Sequence, residues 1–531
     1  MALDAIIIAE SGKDVTEGII PERLKLDGRS SSVQVVQNYL EHHGQVIPPV
    51  AGDGLVSWWS APKLNGIHLF NYLTKQNFDV ELINKYFVER DVFRDLLYQE
   101  PRAVVISSTF IRRKQALRDL TDDIRSLAPD IFIIVGGSFV YLSYLMLQRG
   151  HDKDYVTPQA KDDFLFFGNN EPSVDLYIVS LLGEQTLYHA LKRIKQSRSV
   201  NDLPNSARLK GNEYIFSKRI DDISSARDTS IDWRSLPDSI FSSGVLPLQS
   251  SRGCPYKCAF CNFARDHRLM FKKPISQLVD ELKALSSRGI RYIWFVDDNF
   301  RLGSSDLNTV CQRFVAEGIE IKWMTMVRAD TMKDVDAELL RRSGCIEVQL
   351  GLESAHQQIL RNMNKKADPN VYSQVVEKLL GAGINCSCYF IFGFPGETDE
   401  TALHTRGFIA SIEHPELKGT LSWTLIPFSL VPMSPIYEIE MRKKYELIGY
   451  RRDWKHRTMD SDRAKEHIKE AFSELENSCA IYRGDNLDAL LALPPYNRKK
   501  FFICRQNLSK AALKGPIKRD QIVRSFTEAL F

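Results

Sequence analysis

Ser251-Arg252-Gly253-Cys254-Pro255-Tyr256-Lys257-Cys258-Ala259-Phe260-Cys261-Asn262-Phe263 is the stretch on which the reading of this chain turns. Cys254, Cys258 and Cys261 stand at C-x3-C-x2-C spacing, with Phe260 just before the third cysteine. A tight loop of this kind can aim three thiolates at three irons of one cubane cluster. Iron–sulfur clusters normally take four cysteines, so a set of three leaves one iron open. An open metal position can bind a small ligand. Two other readings compete. His267, six residues past Cys261, would complete a Cys3His zinc site, although zinc ligands more often come in paired C-x2-C or H-x3-H spacings. Three buried structural cysteines would not need Gly253, Pro255 and Lys257 around them. A disulfide framework does not fit an odd count of 9 cysteines in a long chain that opens without a secretory signal.

The 531 residues suggest two to four domains. A net charge of only +3 gives no electrostatic case for nucleic acid. The longest apolar run, Ile131 to Leu147, is marginal for a membrane span. Gly136, Gly137, Ser138 and Ser143 interrupt it, so it reads as a strand, a glycine turn and a helix. No membrane span is expected, and a reducing cytoplasm suits the cysteines.

Outward from the cysteine loop, apolar strands alternate with amphipathic helices on both sides. Upstream, strands are expected at Asp4–Ala9, Val80–Ile83, Ala103–Ser107, Ile131–Val135 and Phe164–Phe167, with helices over Gly66–Lys75 and Ile111–Leu127. This alternation implies a parallel sheet with ligand-binding turns at the strand C-termini. Downstream, strands are expected at Val245–Gln249, Tyr292–Val296, Lys322–Val327, Glu347–Leu352, Cys386–Phe392 and Thr420–Ile426. Six β-α steps fit a partial (β/α)6 barrel, whose chemistry gathers at the strand C-termini. The expected division is 1–200, a Rossmann-like domain; 201–243, a linker; 244–430, the barrel; and 431–531, a helical C-terminal segment. Residues 10–65 read as a lid or cap.

The cysteine loop, placed after the first barrel strand, resembles that of the radical S-adenosylmethionine (SAM) enzymes. Phe295-Val-Asp-Asp-Asn-Phe300, Arg328-Ala-Asp330, Gly351-Leu-Glu-Ser354 and Gly393-Phe-Pro-Gly-Glu-Thr398 look like segments of the subgroup with a cobalamin-binding domain. Ile106-Ser-Ser-Thr109, Val135-Gly-Gly-Ser138 and Gly168-Asn-Asn-Glu171 stand upstream in that subgroup's order. The D-x-H-x-x-G motif, whose His ligates cobalt in several cobalamin enzymes, is absent. Asp266-His267 does not continue as that motif and lies in the wrong domain. The resemblance implies a [4Fe–4S] cluster on Cys254, Cys258 and Cys261, with SAM on its open iron. It also implies a cobalamin held by the first domain with no motif His below cobalt.

SAM offers a ribose diol, an adenine face, a carboxylate and an amino group. Glu353 and Ser354 suit the diol, and Arg328 suits the carboxylate through a forked contact. Asp298, or its neighbour Asp297, suits the amino group or a polar group of the substrate. Phe392 and Gly393 suit the adenine edge through backbone groups, and Phe260 is a further SAM-binding candidate. The cobalamin tail needs close backbone approach and small hydroxyls. Gly136, Gly137 and Ser138 suit the first need, and Ser107, Ser108 and Thr109 the second. Glu171 would contact the nucleotide loop or simply start a helix. For each of these residues the competing reading is structural: a β-α turn, an ion pair or a packed core. Cys386 and Cys388 share one strand face and read either as substrate-facing thiols or as small buried hydrophobes. Trp58, Trp59, Trp423 and Tyr389 are candidate pocket walls.

The implied activity is methylation of an unactivated carbon on a small-molecule substrate. One SAM would supply the methyl group through cobalamin and a second would supply the radical. Flavodoxin or ferredoxin would donate electrons. Oxidation, cyclisation or rearrangement without methyl transfer is the alternative, and nothing in the residues separates the two.

Overall fold

The computed structural model describes residues 2–12, 24–45, 56–168, 170–220, 230–263, 270–303, 306–482 and 484–530. Asp266 and His267 fall outside these residues, as does Asn169.

The first sheet has seven strands: β1 (Ala5–Glu10), β2 (Val80–Lys85), β3 (Ala103–Ser107), β4 (Phe132–Gly136), β5 (Leu176–Ile178), β6 (Ser206–Lys210) and β7 (Glu213–Phe216), in the order β2-β1-β3-β4-β5-β6-β7. Pairing is parallel from β2 to β5 and antiparallel from β5 to β7. Ile6, Ile7 and Ile8 on β1 and Val104 on β3 have no exposed surface. A parallel sheet covered on both faces demands such unbroken apolar runs. Each side chain of this size contributes about 1.5–3 kcal/mol on burial.

The second sheet is parallel throughout: β8 (Val245–Leu248), β9 (Tyr292–Phe295), β10 (Lys322–Arg328), β11 (Cys345–Glu353), β12 (Asn385–Phe392) and β13 (Leu421–Pro427), in chain order. Helices Ile275–Ser287, Leu307–Ala316, Ala337–Arg342, Asn370–Gly381 and Asp399–Ser411 lie between successive strands. This is the expected partial barrel, followed by a mostly helical C-terminal segment.

Four stretches differ from their sequence reading. Phe164–Phe167 is a turn after the helix Pro158–Asp163, and the strand lies later, at Leu176–Ile178. Phe166 has a φ of 76°, and the N–H groups of Phe166, Phe167 and Gly168 all donate to the Glu171 carboxylate. An apolar run at a buried turn mimics a strand. The stretch read as a linker adds the hairpin β6–β7 to the first sheet. The C-terminal segment also holds a small antiparallel sheet, β14 (Ile448–Tyr450), β15 (Asp453–His456) and β16 (Met459–Asp460), and β17 (Cys479–Ala480), which pairs in parallel with β13.

Finally, the described part of residues 10–65 contains the helix Val33–His42. Val33, Val36 and Leu40 pack in one apolar cluster with Leu490, Phe501 and Phe526 of the C-terminal helices. Trp58 and Trp59 stand edge-on to Tyr292 and Trp294 of the barrel.

Candidate active site

The C-terminal ends of both sheets open onto one cavity of about 1060 Å³. Drug-sized ligands typically occupy ~300–1,000 Å³, so this space suits more than one small group. Its first-domain wall includes Ser107, Thr109, Gly136, Gly137 and Ser138; its barrel wall includes Gly253, Cys254, Trp294 and Asp298.

On the first-domain side, β3 ends at Ser107, whose hydroxyl accepts from Asn65 Nδ2 at 2.8 Å and lies 3.1 Å from Thr109 Oγ1. The next turn follows β4. Gly137 has a φ of 106°, and a Cβ there would stand 3.1 Å from Ser108 Oγ and 3.2 Å from Ser108 N. A side chain at this position would be strained twice, by conformation and by contact. Ser108 itself is buried, and its hydroxyl accepts from Val140 N at 3.3 Å. It holds the helix Ser138–Gln148 against the strand end and does not line the cavity. A cleft continues from these turns along the sheet face, walled by Val105, Ile134, Ile178 and Leu187. An apolar slot entered past a glycine turn and small hydroxyls fits a flat base on a polar tail. Glu171 stands away from the cavity. Besides the turn, it binds Lys114 Nζ at 3.3 Å and Tyr214 Oη at 3.2 Å.

The sequence reading missed His68. It lines the cavity, with Nε2 3.3 Å from Glu184 Oε1. Burial raises the affinity of Glu184 for a proton, but the bond and charge of His68 outweigh it, so its pKa falls below the ordinary value. No motif marks His68; its place one helical turn beyond the end of the long insertion is the only signal.

On the barrel side, the cysteine loop is stitched to its neighbours. Ala259 N donates to Met363 O at 2.7 Å, and Asn364 Nδ2 to Lys257 O at 2.7 Å. Ala259 O accepts from Ile436 N at 2.9 Å. Gly253 N donates to Asp298 Oδ2 at 2.8 Å, so the Asp298 carboxylate clamps the start of the loop. Burial raises the Asp298 pKa. Its neighbour Asp297 is a brace, accepting from Ser250 N at 2.7 Å, Ser251 Oγ at 2.7 Å and Arg301 N at 3.1 Å. Among the described residues no three His, Cys, Asp or Glu side chains converge as a single-ion site. A cubane makes a different demand, because each thiolate meets its own iron. All three cysteines are half-buried, with no disulfide.

Arg328 leaves β10 with its guanidinium 3.9 Å from the Tyr256 ring centre. It donates to Asp330 Oδ1 at 2.9 Å, Asp330 Oδ2 at 3.0 Å and Lys365 O at 2.6 Å. Only its Nη1 is buried without a partner. It therefore braces the loop and keeps one donor for a ligand. Glu353, at a φ of 68°, binds Lys365 Nζ at 2.9 Å. Burial raises the Cys258 pKa, while the Lys365 and Arg328 charges oppose the rise. Arg328, Glu353 and Lys365 thus gather around the middle cysteine.

Other expected site residues lie elsewhere. Ser354 is fully buried, and its hydroxyl sits 3.2 Å from Thr405 Oγ1 and accepts from His356 N at 3.1 Å. Phe392 is core, and Phe260 packs half-buried against that core. Gly393 is sealed by the C-terminal segment, since a Cβ there would fall 2.3 Å from Trp454 Cη2. Cys386 and Cys388 have no exposed surface and belong to the apolar core. Trp423 is also core, with Nε1 donating to Ser478 Oγ at 2.8 Å.

Residues 248–409 match the family model of the radical SAM superfamily. An uncharacterised methyltransferase of Pyrococcus horikoshii is 31% identical over 172 residues, which is 31% of this chain and 37% of the relative. An anaerobic magnesium-protoporphyrin IX monomethyl ester cyclase of Cereibacter sphaeroides is 29% identical over 209 residues, 38% of this chain and 32% of the relative. The chain thus spans less than half the length of these curated relatives. Among solved structures, the radical SAM methyltransferase TsrM of Kitasatospora setae, with cobalamin and a [4Fe-4S] cluster bound, aligns with a TM-score of 0.54. The alignment covers 83% of this chain and 75% of TsrM at 15% identity, a likeness of fold. The cysteine loop thus lies within the stretch that matches the radical SAM superfamily, and the fold around it is similar to that of TsrM.

Proposed function

We propose that this protein is a cobalamin-dependent radical SAM methyltransferase acting on an unactivated carbon of a small molecule. The carrying observation is the single cavity shared by the strand-end turns of the first domain and by Cys254. Reaction between two bound groups requires near contact, with reacting atoms ~3–3.5 Å apart, and a shared cavity meets that demand. When bound, the cluster with SAM supplies a carbon-centred radical and the cobalamin supplies the methyl group.

In this reading Cys254, Cys258 and Cys261 hold the cluster. Arg328 Nη1 and Glu353 face SAM, and Asp298 positions the loop that carries both. Ser107, Thr109, Gly136, Gly137 and Ser138 receive the cobalamin tail. Phe260, Ser354, Phe392 and Gly393 shape the barrel mouth from behind, as Ser108 and Glu171 shape the first-domain turns. The apolar barrel wall, Trp294 and Val296, excludes water from the reacting carbon. We place the boundary between the two cofactor domains after the β6–β7 hairpin. A flavodoxin- or ferredoxin-type donor in a reducing cytoplasm would supply the electrons.

The test is the fate of SAM under anaerobic reducing conditions with a cell extract of small molecules. Methyl transfer consumes two SAM per product, giving S-adenosylhomocysteine and 5′-deoxyadenosine in equal amounts, with labelled methyl in the product. Formation of 5′-deoxyadenosine alone, with no labelled product, would replace this reading with oxidation or cyclisation.

A further inference from the structure

Among the described residues, two oxygens on the cavity wall are buried without a hydrogen-bond partner, Asn65 Oδ1 and Glu184 Oε2. Each is fixed by the other end of its group. Asn65 Nδ2 donates to Ala9 O at 2.9 Å and to Ser107 Oγ at 2.8 Å. Ala9 O can only accept, so the amide cannot turn over and its free end stays an acceptor. Glu184 Oε1 accepts from His68 Nε2 at 3.3 Å. Asn65 and His68 stand three residues apart on the helix Leu64–Lys75 and share a face. Glu184 opens the helix Glu184–Lys195, and its side chain is 12% exposed. Burial raises the Glu184 pKa, but the bond and charge of His68 and the charge of Arg252 bring it below the ordinary value. The carboxylate is therefore ionised.

A buried polar atom without a partner is rare and calls for an occupant, the more so when it carries charge. Both oxygens accept, so the occupant must donate. The phosphodiester of a cobalamin tail is excluded, because it would meet like charge at Glu184. The amino group of SAM belongs at the open iron in the proposed reading. The donors that remain are the primary amides around the rim of the corrin. The position agrees. Asn65 binds Ser107, whose hydroxyl is assigned to the cobalamin tail. Leu187, one turn past Glu184 on its helix, walls the slot assigned to the base. Both unpaired oxygens thus neighbour residues that already receive the cofactor.

We infer that Asn65 Oδ1 and Glu184 Oε2 accept hydrogen bonds from primary amides of the corrin rim, and so select a corrinoid whose rim carboxylates have been amidated. This inference rests on the proposed cobalamin reading and deepens it by naming the chemical form of the cofactor. A rim carboxylate would meet Glu184 as like charge, which is strongly unfavourable at an interface, and would bring no donor to Asn65. Amidation of the corrin carboxylates must then precede loading of this protein.

The test compares hydroxocobalamin with its single-carboxylate derivatives, each made by hydrolysing one rim amide, with binding to the cluster-reconstituted protein read from the absorbance change. At least one derivative should bind the parent about tenfold or more weakly than cobalamin does. Glu184→Gln removes the repulsion and keeps an oxygen for His68 Nε2. It should bind cobalamin about fivefold more weakly, the difference between a charged and a neutral acceptor, and should bind that derivative as well as it binds cobalamin. Reconstituted iron shows whether the variant is folded, and Glu184→Ala makes the same comparison if it is not. If every derivative binds the parent as cobalamin does, or if the discrimination survives loss of the Glu184 charge, the amide-rim inference is overturned and the cofactor reading stands. If the parent holds no cobalamin, the underlying reading fails instead.

Discussion

Glu397→Gln should change how stability depends on pH. The Glu397 carboxyl is fully buried and accepts from Gly393 N, while its other oxygen, Oε1, has no partner. Burial pushes its pKa up to about 8 from an ordinary 4.5, and only the Gly393 N–H opposes the rise. The folded state therefore favours the protonated form. That contribution is complete below the unfolded value and is lost as pH rises through the folded one. At about 1.4 kcal/mol per pH unit, the loss between pH 4.5 and 8 approaches about 5 kcal/mol.

Glutamine keeps an acceptor for Gly393 N and cannot ionise. His456, on the other side of the same turn, donates Nε2–H to Gly393 O at 3.2 Å, and burial lowers its pKa to about 4. Its contribution is present above the unfolded value near 6.5 and is lost as pH falls toward 4. Parent and variant share that loss, so it cancels in their difference. Urea denaturation from pH 5 to 9 should show the variant gaining on the parent up to about pH 8 and then running parallel. Where unfolding is irreversible, unfolding rates serve instead. A variant-minus-parent stability that stays constant, or falls with rising pH, would refute the reasoning.

Cys258→Ala should lower reconstituted iron from about four per chain to a small fraction and abolish reductive SAM cleavage; iron analysis and 5′-deoxyadenosine release check this, and stoichiometric zinc in the parent would sink the cluster assignment. Gly137→Val, at a φ of 106° with Ser108 Oγ 3.1 Å from the new Cβ, should weaken cobalamin binding at least tenfold while leaving the iron content intact. Bound cobalamin should show a base-off spectrum with no nitrogen coupling from a protein His; electron paramagnetic resonance of the cob(II) form decides, and a His68-dependent nitrogen signal would contradict it. Gly393→Ala, whose Cβ would overlap Trp454, should lower stability by several kcal/mol through overpacking (~1–3 kcal/mol) added to strain at positive φ (~1–3 kcal/mol), as measured by denaturation.

Much of the barrel was legible because its strands and helices carry different periods. Tyr292–Phe295 and Asn385–Phe392 are bounded by turns and separated by amphipathic helices, so local pattern and tertiary fold agree. The cysteine loop was legible from spacing alone. Phe164–Phe167 misled because burial, not conformation, explains its aromatics: Phe139 stacks on Phe164 at 5.8 Å. The roles of Ser354 and Glu171 were hidden for another reason. Their partners, Thr405 and Tyr214, are 51 and 43 residues away, and no local pattern announces such bonds. His68 and its bond to Glu184, 116 residues away, became visible only when the fold brought distant elements to one wall.

The helix Val33–His42 has a consequence for biosynthesis. Apart from Leu24 and Leu26, its apolar face meets residues from the far end of the chain within its cluster, and Leu24 N reaches Ser509 Oγ across 485 positions. At translation rates of ~5–20 residues per second, that segment waits on the order of half a minute or more for its partners. During this interval the first sheet can form while the belt that fastens the amino-terminal insertion to the barrel remains undone. On the proposed reading, a corrin arriving in this interval meets a first sheet not yet tied to the far end of the chain. Cofactor capture would then belong to maturation, and exchange in the completed protein would be slow.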